Sequence, residues 1–180
     1  YIVYNPNDTE QTLKEAINNH REELDKNHHL IDHDEAKNII DKDTLLIMTD
    51  HHNLAQTQFE DLIDLAEKIV IIDHHRRTEE FEFKTALTYI EAAASSASEL
   101  VIELFPYHKR NVVISKLDAT FMYTGMLIDT NRFRNRSHSR TFQAAAELRK
   151  YGADLSEVEN MLKDEYQSFE LKNLVLSTCQ

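Results

Sequence analysis

Residues 69–77 read IVIIDHHRR, and residues 44–53 read TLLIMTDHHN. Each is a short run of consecutive apolar side chains that stops abruptly at Asp-His-His. A continuous apolar run with β-branched members predicts a strand buried on both faces, the habit of parallel sheets. In such sheets ligands bind outside the carboxyl ends of the strands. Asp50 and the Asp73-His74-His75 tripeptide are therefore expected side by side at one sheet edge. Working outward, strands are predicted at 1–4, 28–31 and 87–90. Helices are predicted from a cap at Asp8 or Thr9 to Lys26, and over 34–40, 59–66, 95–105, 111–127, 141–150, 155–163 and 166–176. Strands alternating with helices predict an α/β fold, a mainly parallel sheet flanked by helices.

The composition narrows what such a site can do. The chain has 180 residues, 20 Lys+Arg against 32 Asp+Glu, and a formal net charge of -12. So acidic a surface is a poor general binder of phosphate backbones, which excludes a duplex nucleic acid partner. Any nucleotide must be held locally, by a few Arg residues or by metal ions. With two glycines there is no Gly-rich phosphate loop, and one cysteine excludes a disulfide framework or thiolate zinc cluster. No apolar run reaches the roughly 20 residues that span a bilayer. There are ten histidines, far more than a core needs, and histidine is the commonest metal ligand.

Carboxylates and imidazoles together suit divalent manganese, zinc or iron. Adjacent parallel strands lie about 5 Å apart, close enough for groups at neighbouring strand ends to share an ion. One polar cluster after a strand reads as the start of a loop; two, each after an apolar strand, favour a metal site. Asp129, ending the stretch GMLID at 125–129, precedes the one dense basic run of the chain, with Arg132, Arg134, Arg136 and Arg140. Arg binds phosphate in bidentate fashion. A solvated loop is the expected state of two of the four.

These motifs resemble the DHH superfamily of phosphoesterases, which includes RecJ nucleases, oligoribonucleases and type II pyrophosphatases. Asp73-His74-His75 matches the defining tripeptide, Asp50 resembles the preceding isolated Asp motif, and Asp129 resembles the final one. IDHHRRTEEF, AASSASELV and IDTNRFRNRSHSRTFQAAAELRKYGAD resemble the GdpP-type cyclic di-AMP phosphodiesterases within it. The family's first motif, His-x-x-x-Asp-x-Asp, is not found and is expected upstream of Tyr1. His33-Asp34 is rejected as a substitute because it lacks the second spaced Asp. Residues 1–163 then correspond to an N-terminally incomplete DHH domain, and 164–180 to a helical linker towards a C-terminal substrate-binding domain.

The resemblance implies hydrolysis of cyclic di-AMP, a bacterial second messenger, to linear pApA with two Mn2+ ions. Asp50 would bridge the ions, and His74 and Asp129 would bind the second. His75 would be catalytic, pointing at the phosphate, while Asp73 would orient the histidines. Ser95, Ser96, Arg76 and Arg136 would contact phosphate. His52 could approach this site, with His51 turned away and His20, His28, His29 and His108 at the surface. The alternatives are an oligoribonuclease or 3′-phosphoadenosine phosphatase, or a nucleotide-sensing module without turnover. The complete protein is expected to be a membrane-anchored homodimer with this domain on the cytoplasmic side. Residues 1–180 alone are expected to be weakly active or inactive.

Overall fold

A computed structural model of the chain describes residues 1–76, 84–108 and 113–162. Its centre is a parallel three-stranded sheet of order β3-β4-β5, formed by Leu45–Thr49, Lys68–Asp73 and Leu87–Ile90. Register pairs Thr49 with Ile72, and Asp73 with Ile90. The middle strand, β4, buries Ile69, Ile71, Ile72 and Asp73. Burying each such aliphatic side chain contributes about 1.5–3 kcal/mol. A second parallel pair, β1 (Ile2–Val3) and β2 (Leu30–Ile31), stands apart from this sheet.

The strand at Leu45–Thr49 departs from its prediction of burial on both faces. It is an edge strand, with Leu45 and Ile47 about half exposed. They line an apolar cleft of about 850 Å³ between β3 and the elements β1 and α3 (His33–Ile39). An apolar run reports hydrophobicity and not which neighbour covers it.

Helices α5 (Ala97–Leu104), α6 (Lys116–Asp129) and α7 (Ser139–Lys150) pack on one another, and α5 packs on β4. Their shared core includes Ile102, Ala119, Met126, Ala144 and Leu148. Among the described residues a further helix, α8, occupies 155–162 and packs with α6 through Leu127, Val158 and Leu162. Gly152, at φ 95, makes the left-handed turn between α7 and α8.

Local hydrogen bonding shifted several boundaries. Thr9 Oγ1 donates to the Asn5 carbonyl at 2.6 Å and the Asp8 N–H to the same carbonyl at 3.2 Å. Both residues are held in the preceding turn, and the first helix starts one residue beyond Glu10. The single helix expected to Lys26 is two, α1 (Gln11–Asn19) and α2 (Arg21–Asn27), broken at His20. There the ring lies 3.0 Å from Glu157 Oε1 and edge-on to Phe121. α6 begins five residues later than predicted, at a capping box of Ser115 and Asp118, and runs two residues longer. Asp129 is thus in its last turn and not after it. The helix predicted over 166–176 and the linker over 164–180 lie outside the described residues.

Candidate metal and phosphoester site

The β3–β4 ladder continues one step past β3: Asp50 N–H donates to the Ile72 carbonyl at 2.9 Å. Asp50 then turns the chain with φ 67, a left-handed conformation that Asp tolerates better than most residues. Its carboxylate stays 54% exposed. Across the edge, β4 ends at Asp73 with 0% exposure, followed by buried His74 and half-exposed His75.

His74 is the centre of the cluster. Its Nε2 lies 3.1 Å from Asp50 Oδ1 and 3.8 Å from Asp129 Oδ2. Neither ring nitrogen meets hydrogen-bond geometry with a partner, although the ring is 4% exposed. A buried imidazole set between two carboxylates has the chemistry of a divalent metal ligand. Asp50 beside it, and Asp129 behind, raise the His74 pKa against the opposing effect of burial and of Arg136. Asp129 responds oppositely to the usual carboxylate. Burial, and then the negative charge of Asp50, push it up to about 6 despite the attraction of His74, His75 and Arg136. A buried carboxylate held back from ionising beside another carboxylate fits a site for a cation.

Ligand atoms of Asp50, His74 and His75 lie within 4.8 Å of one another. His75 Nδ1 stands 4.0 Å from Asp50 Oδ1 but is engaged by Asp73 Oδ1 at 2.8 Å. Only Nε2 of that ring remains for another partner. Both oxygens of Asp73 are engaged within the protein. One oxygen accepts from His52 Nδ1, the other from the His75 ring and from its backbone N–H at 3.1 Å. Burial works against its ionisation, but these donors win and hold its pKa below the usual range.

The structure sorts the basic run. Arg132 donates to Glu159 at 2.8 Å; Arg140 makes a bidentate pair with Glu103 at 2.5 Å and reaches the Tyr89 hydroxyl at 3.1 Å. Arg136 donates to the Ala92 carbonyl at 3.1 Å, and its charge is felt by both His74 and Asp129. It is exposed, as Arg134 is, but it is the arginine of the run whose charge reaches the cluster. The intervening turn holds Asn131, Arg132 and Phe133 at φ 46, 57 and 62. Three successive left-handed non-glycine residues are costly. The turn is held by Arg132 N–H to the Leu127 carbonyl at 2.7 Å, and by the Phe133 ring 5.2 Å from that of Phe142.

Two predicted phosphate contacts are corrected. Ser95 and Ser96 are fully buried, and their hydroxyls serve α5 itself. Ser96 accepts from Glu99 N–H as the N-cap, and Ser95 Oγ donates to the Glu99 carboxylate at 2.5 Å. Neither hydroxyl is presented to a ligand. Arg76 is exposed past the cluster, and Arg77 and the following EEF lie outside the described residues. Among the surface histidines, His20 and His28 are only partly exposed, and His28 is 2.6 Å from Asp118. His33 is bound to Asp61 at 2.7 Å and stacks on Phe59, consistent with its rejection as a site residue. His52 does approach the site, as expected, but the left-handed turn at Asp50 that brings its ring onto Asp73 is not foreseeable from alternation along a strand.

The comparisons with known proteins follow the same pattern. The DHH family, N-terminal domain, matches residues 5–126, and the chain belongs to that family. It is 38% identical over 169 residues to the cyclic-di-AMP phosphodiesterase GdpP of Bacillus subtilis, covering 94% of this chain and 26% of that protein. It is 33% identical over 180 residues to the cyclic-di-AMP phosphodiesterase PdeA of Listeria monocytogenes, covering 100% of this chain and 27% of that one. The chain thus spans about a quarter of the length of these relatives. Among solved structures, an exopolyphosphatase-related protein of Bacteroides fragilis superposes with a TM-score of 0.62 at 27% identity, over 72% of this chain and 38% of that chain. Among the described residues no helix is long and apolar enough to cross a membrane.

Proposed function

We propose that this chain is the core of a metal-dependent phosphodiesterase that hydrolyses cyclic di-AMP to linear pApA. The observation that carries the reading is buried His74, whose Nε2 is set between the carboxylates of Asp50 and Asp129 at the carboxyl edge of the parallel sheet. Similarity to proteins named for that substrate supports the choice of cyclic di-AMP.

Asp50, His74 and Asp129 would hold manganese, with Asp50 shared between two ions in the complete protein. The metal supplies charge neutralisation at a phosphoryl oxygen and a water acidic enough to ionise near neutral pH. The chain's own residues do the rest. His75, held through Nδ1, offers Nε2 on its exposed side to a phosphoryl oxygen or to the oxygen that leaves. Arg136, tethered to Ala92, adds positive charge beside the cluster, and Arg76 is free to follow the substrate. Asp73 keeps its charge and gives it to the two histidines. The complete protein is proposed to act as a membrane-anchored homodimer on the cytoplasmic side.

The test is turnover by the complete protein of cyclic di-AMP, linear dinucleotides and 3′-phosphoadenosine phosphate, with Mn2+ and with EDTA. Manganese-dependent release of pApA from the cyclic substrate is expected. Turnover of linear substrates alone would make the protein an oligoribonuclease or phosphatase, and binding without turnover a sensor.

A further inference from the structure

Besides the approach of His74 to Asp50, a buried contact joins the two Asp-His-His tripeptides, and its His52 side lies outside the proposed metal and phosphate contacts. His52, 7% exposed, donates through Nδ1 to Asp73 Oδ2. It arrives there because of Asp50. The left-handed turn at Asp50 ends the strand direction, and His51 is tied back to the Thr49 carbonyl at 2.9 Å. Leu54, two residues on, packs into the core of Met48, Ile63, Ile69 and Ile71. The loop is thereby pinned at both ends, and the His52 ring is laid over the end of β4.

An ionised carboxylate can only accept, so His52 and His75 must both donate from Nδ1. With Oδ2 held by His52, Oδ1 is left to face His75, which it binds through ring and backbone together. We infer that His52 is a positioning residue for His75: it fixes the Asp73 carboxylate so that His75 stays protonated at Nδ1 and presents Nε2 to the substrate. Without His52, Oδ2 is a fully buried acceptor short of a donor. The carboxylate then satisfies it only by rotating, at the expense of the His75 bond, and the His75 ring is released to turn and to exchange tautomers. What His75 does with Nε2 rests on the phosphodiesterase reading; how the ring is held does not.

The experiment compares His52→Ala with His52→Asn, whose side-chain N–H2 stands where the imidazole Nδ1 does. In the complete protein, His52→Ala is expected to lower kcat for cyclic di-AMP about 10–100-fold, the usual cost of removing an outer partner, with KM and Mn2+ affinity unchanged. His52→Asn should recover most of the loss. In the 15N-histidine-labelled 180-residue chain, His75 should show the Nδ1–H tautomer in the parent and in His52→Asn, and mixed tautomers in His52→Ala. Parental kcat and a single tautomer in His52→Ala would overturn the inference. So would a His52→Asn variant with low kcat and mixed tautomers. If the Ala variant fails to fold, the Asn variant decides alone. If the parent does not hydrolyse any phosphodiester, the functional reading falls, and the tautomer comparison still decides the role of His52.

Discussion

The sequence Asp-His-His occurs twice, at 50–52 and 73–75, each time directly after a parallel strand, and the two copies are built in opposite senses. In the first, the carboxylate is exposed and aimed at the cluster, while His52 is buried and serves as a support. In the second, the carboxylate is buried and serves as the support, while His74 and His75 face the cluster. Two backbone details separate them. β3 is an edge strand and ends in a left-handed Asp; β4 is the middle strand and ends in an Asp sealed beneath the following residues. A tripeptide does not define a ligand set by itself. The strand's place in the sheet decides which side chains reach the site and which prop up the others.

The comparison breaks most sharply at its exposed carboxylate. Asp50→Ala should abolish metal-dependent turnover in the complete protein, a loss of about 10³-fold or more, since ligation and charge neutralisation of an ion are worth several kcal/mol. Its unfolding midpoint should fall only slightly, because the side chain is half exposed but Ala fits φ 67 less well than Asp does. Turnover close to parental would remove Asp50 from the site.

Asp129 offers the next largest effect, as a pH dependence in metal-free protein. Its folded pKa of about 6 lies above the ordinary carboxylate value, so the folded state binds its proton more tightly than the unfolded one. The resulting stability is fully present below about pH 4 and is lost as pH rises through about 6, at most about 3 kcal/mol. Urea unfolding in EDTA at pH 4.5 and 7 should therefore show the parent losing stability relative to Asp129→Asn across that range. Mn2+ should restore it at pH 7. Parallel pH profiles for the two proteins would mean that the carboxylate is not desolvated.

Within the second tripeptide, neighbouring histidines should differ. His74→Ala should weaken Mn2+ binding about 10–100-fold, measured by calorimetry, because the proposed ligand set has the buried ring between Asp50 and Asp129. His75→Ala should leave metal binding largely intact and lower turnover. Equal loss of metal in both would refute the division of labour drawn from the Asp73 contact.

The smallest effect tests the first tripeptide's backbone. Asp50→Gly removes a side chain held at φ 67. It should raise stability by about 0.5–1 kcal/mol where relief of the strained conformation outweighs the added freedom of the unfolded chain. Activity should be lost at the same time. A lower thermal midpoint would show that the left-handed turn is not a source of strain.

Much of this site was legible in sequence because the strands are short and apolar and their ends are abrupt. IVIID and LLIMT could hardly be anything but strands, and polar groups directly after them fall at the carboxyl edge by chain direction alone. Asp129 was legible only by its company, and its place in the last turn of α6 depended on the capping box that starts the helix late. The serines misled because Ser-Ser before an apolar helix fits an anion site and a plain N-cap equally well; only burial separates these, and Glu99 takes both. Arg136 could not be told from Arg132 and Arg140 until their carboxylate partners, Glu159 and Glu103, came from helices far along the chain.

The sequence by itself determined the alternation of strands and helices, the parallel sheet, the edge at which chemistry gathers and the acidic, histidine-rich character of that edge. These follow from local patterning: the run of apolar residues sets the strand, and the next residues must be polar and solvated. Tertiary structure alone decided that β3 lies at the edge and β4 in the middle. It also decided that His52 meets Asp73 while His74 lies between Asp50 and Asp129, and that Asp129 resists ionisation beside Asp50. Those are properties of neighbours that are distant in sequence. Burial, desolvation and charge proximity arise only when strands pair and helices cover them, and no periodicity along one chain records them.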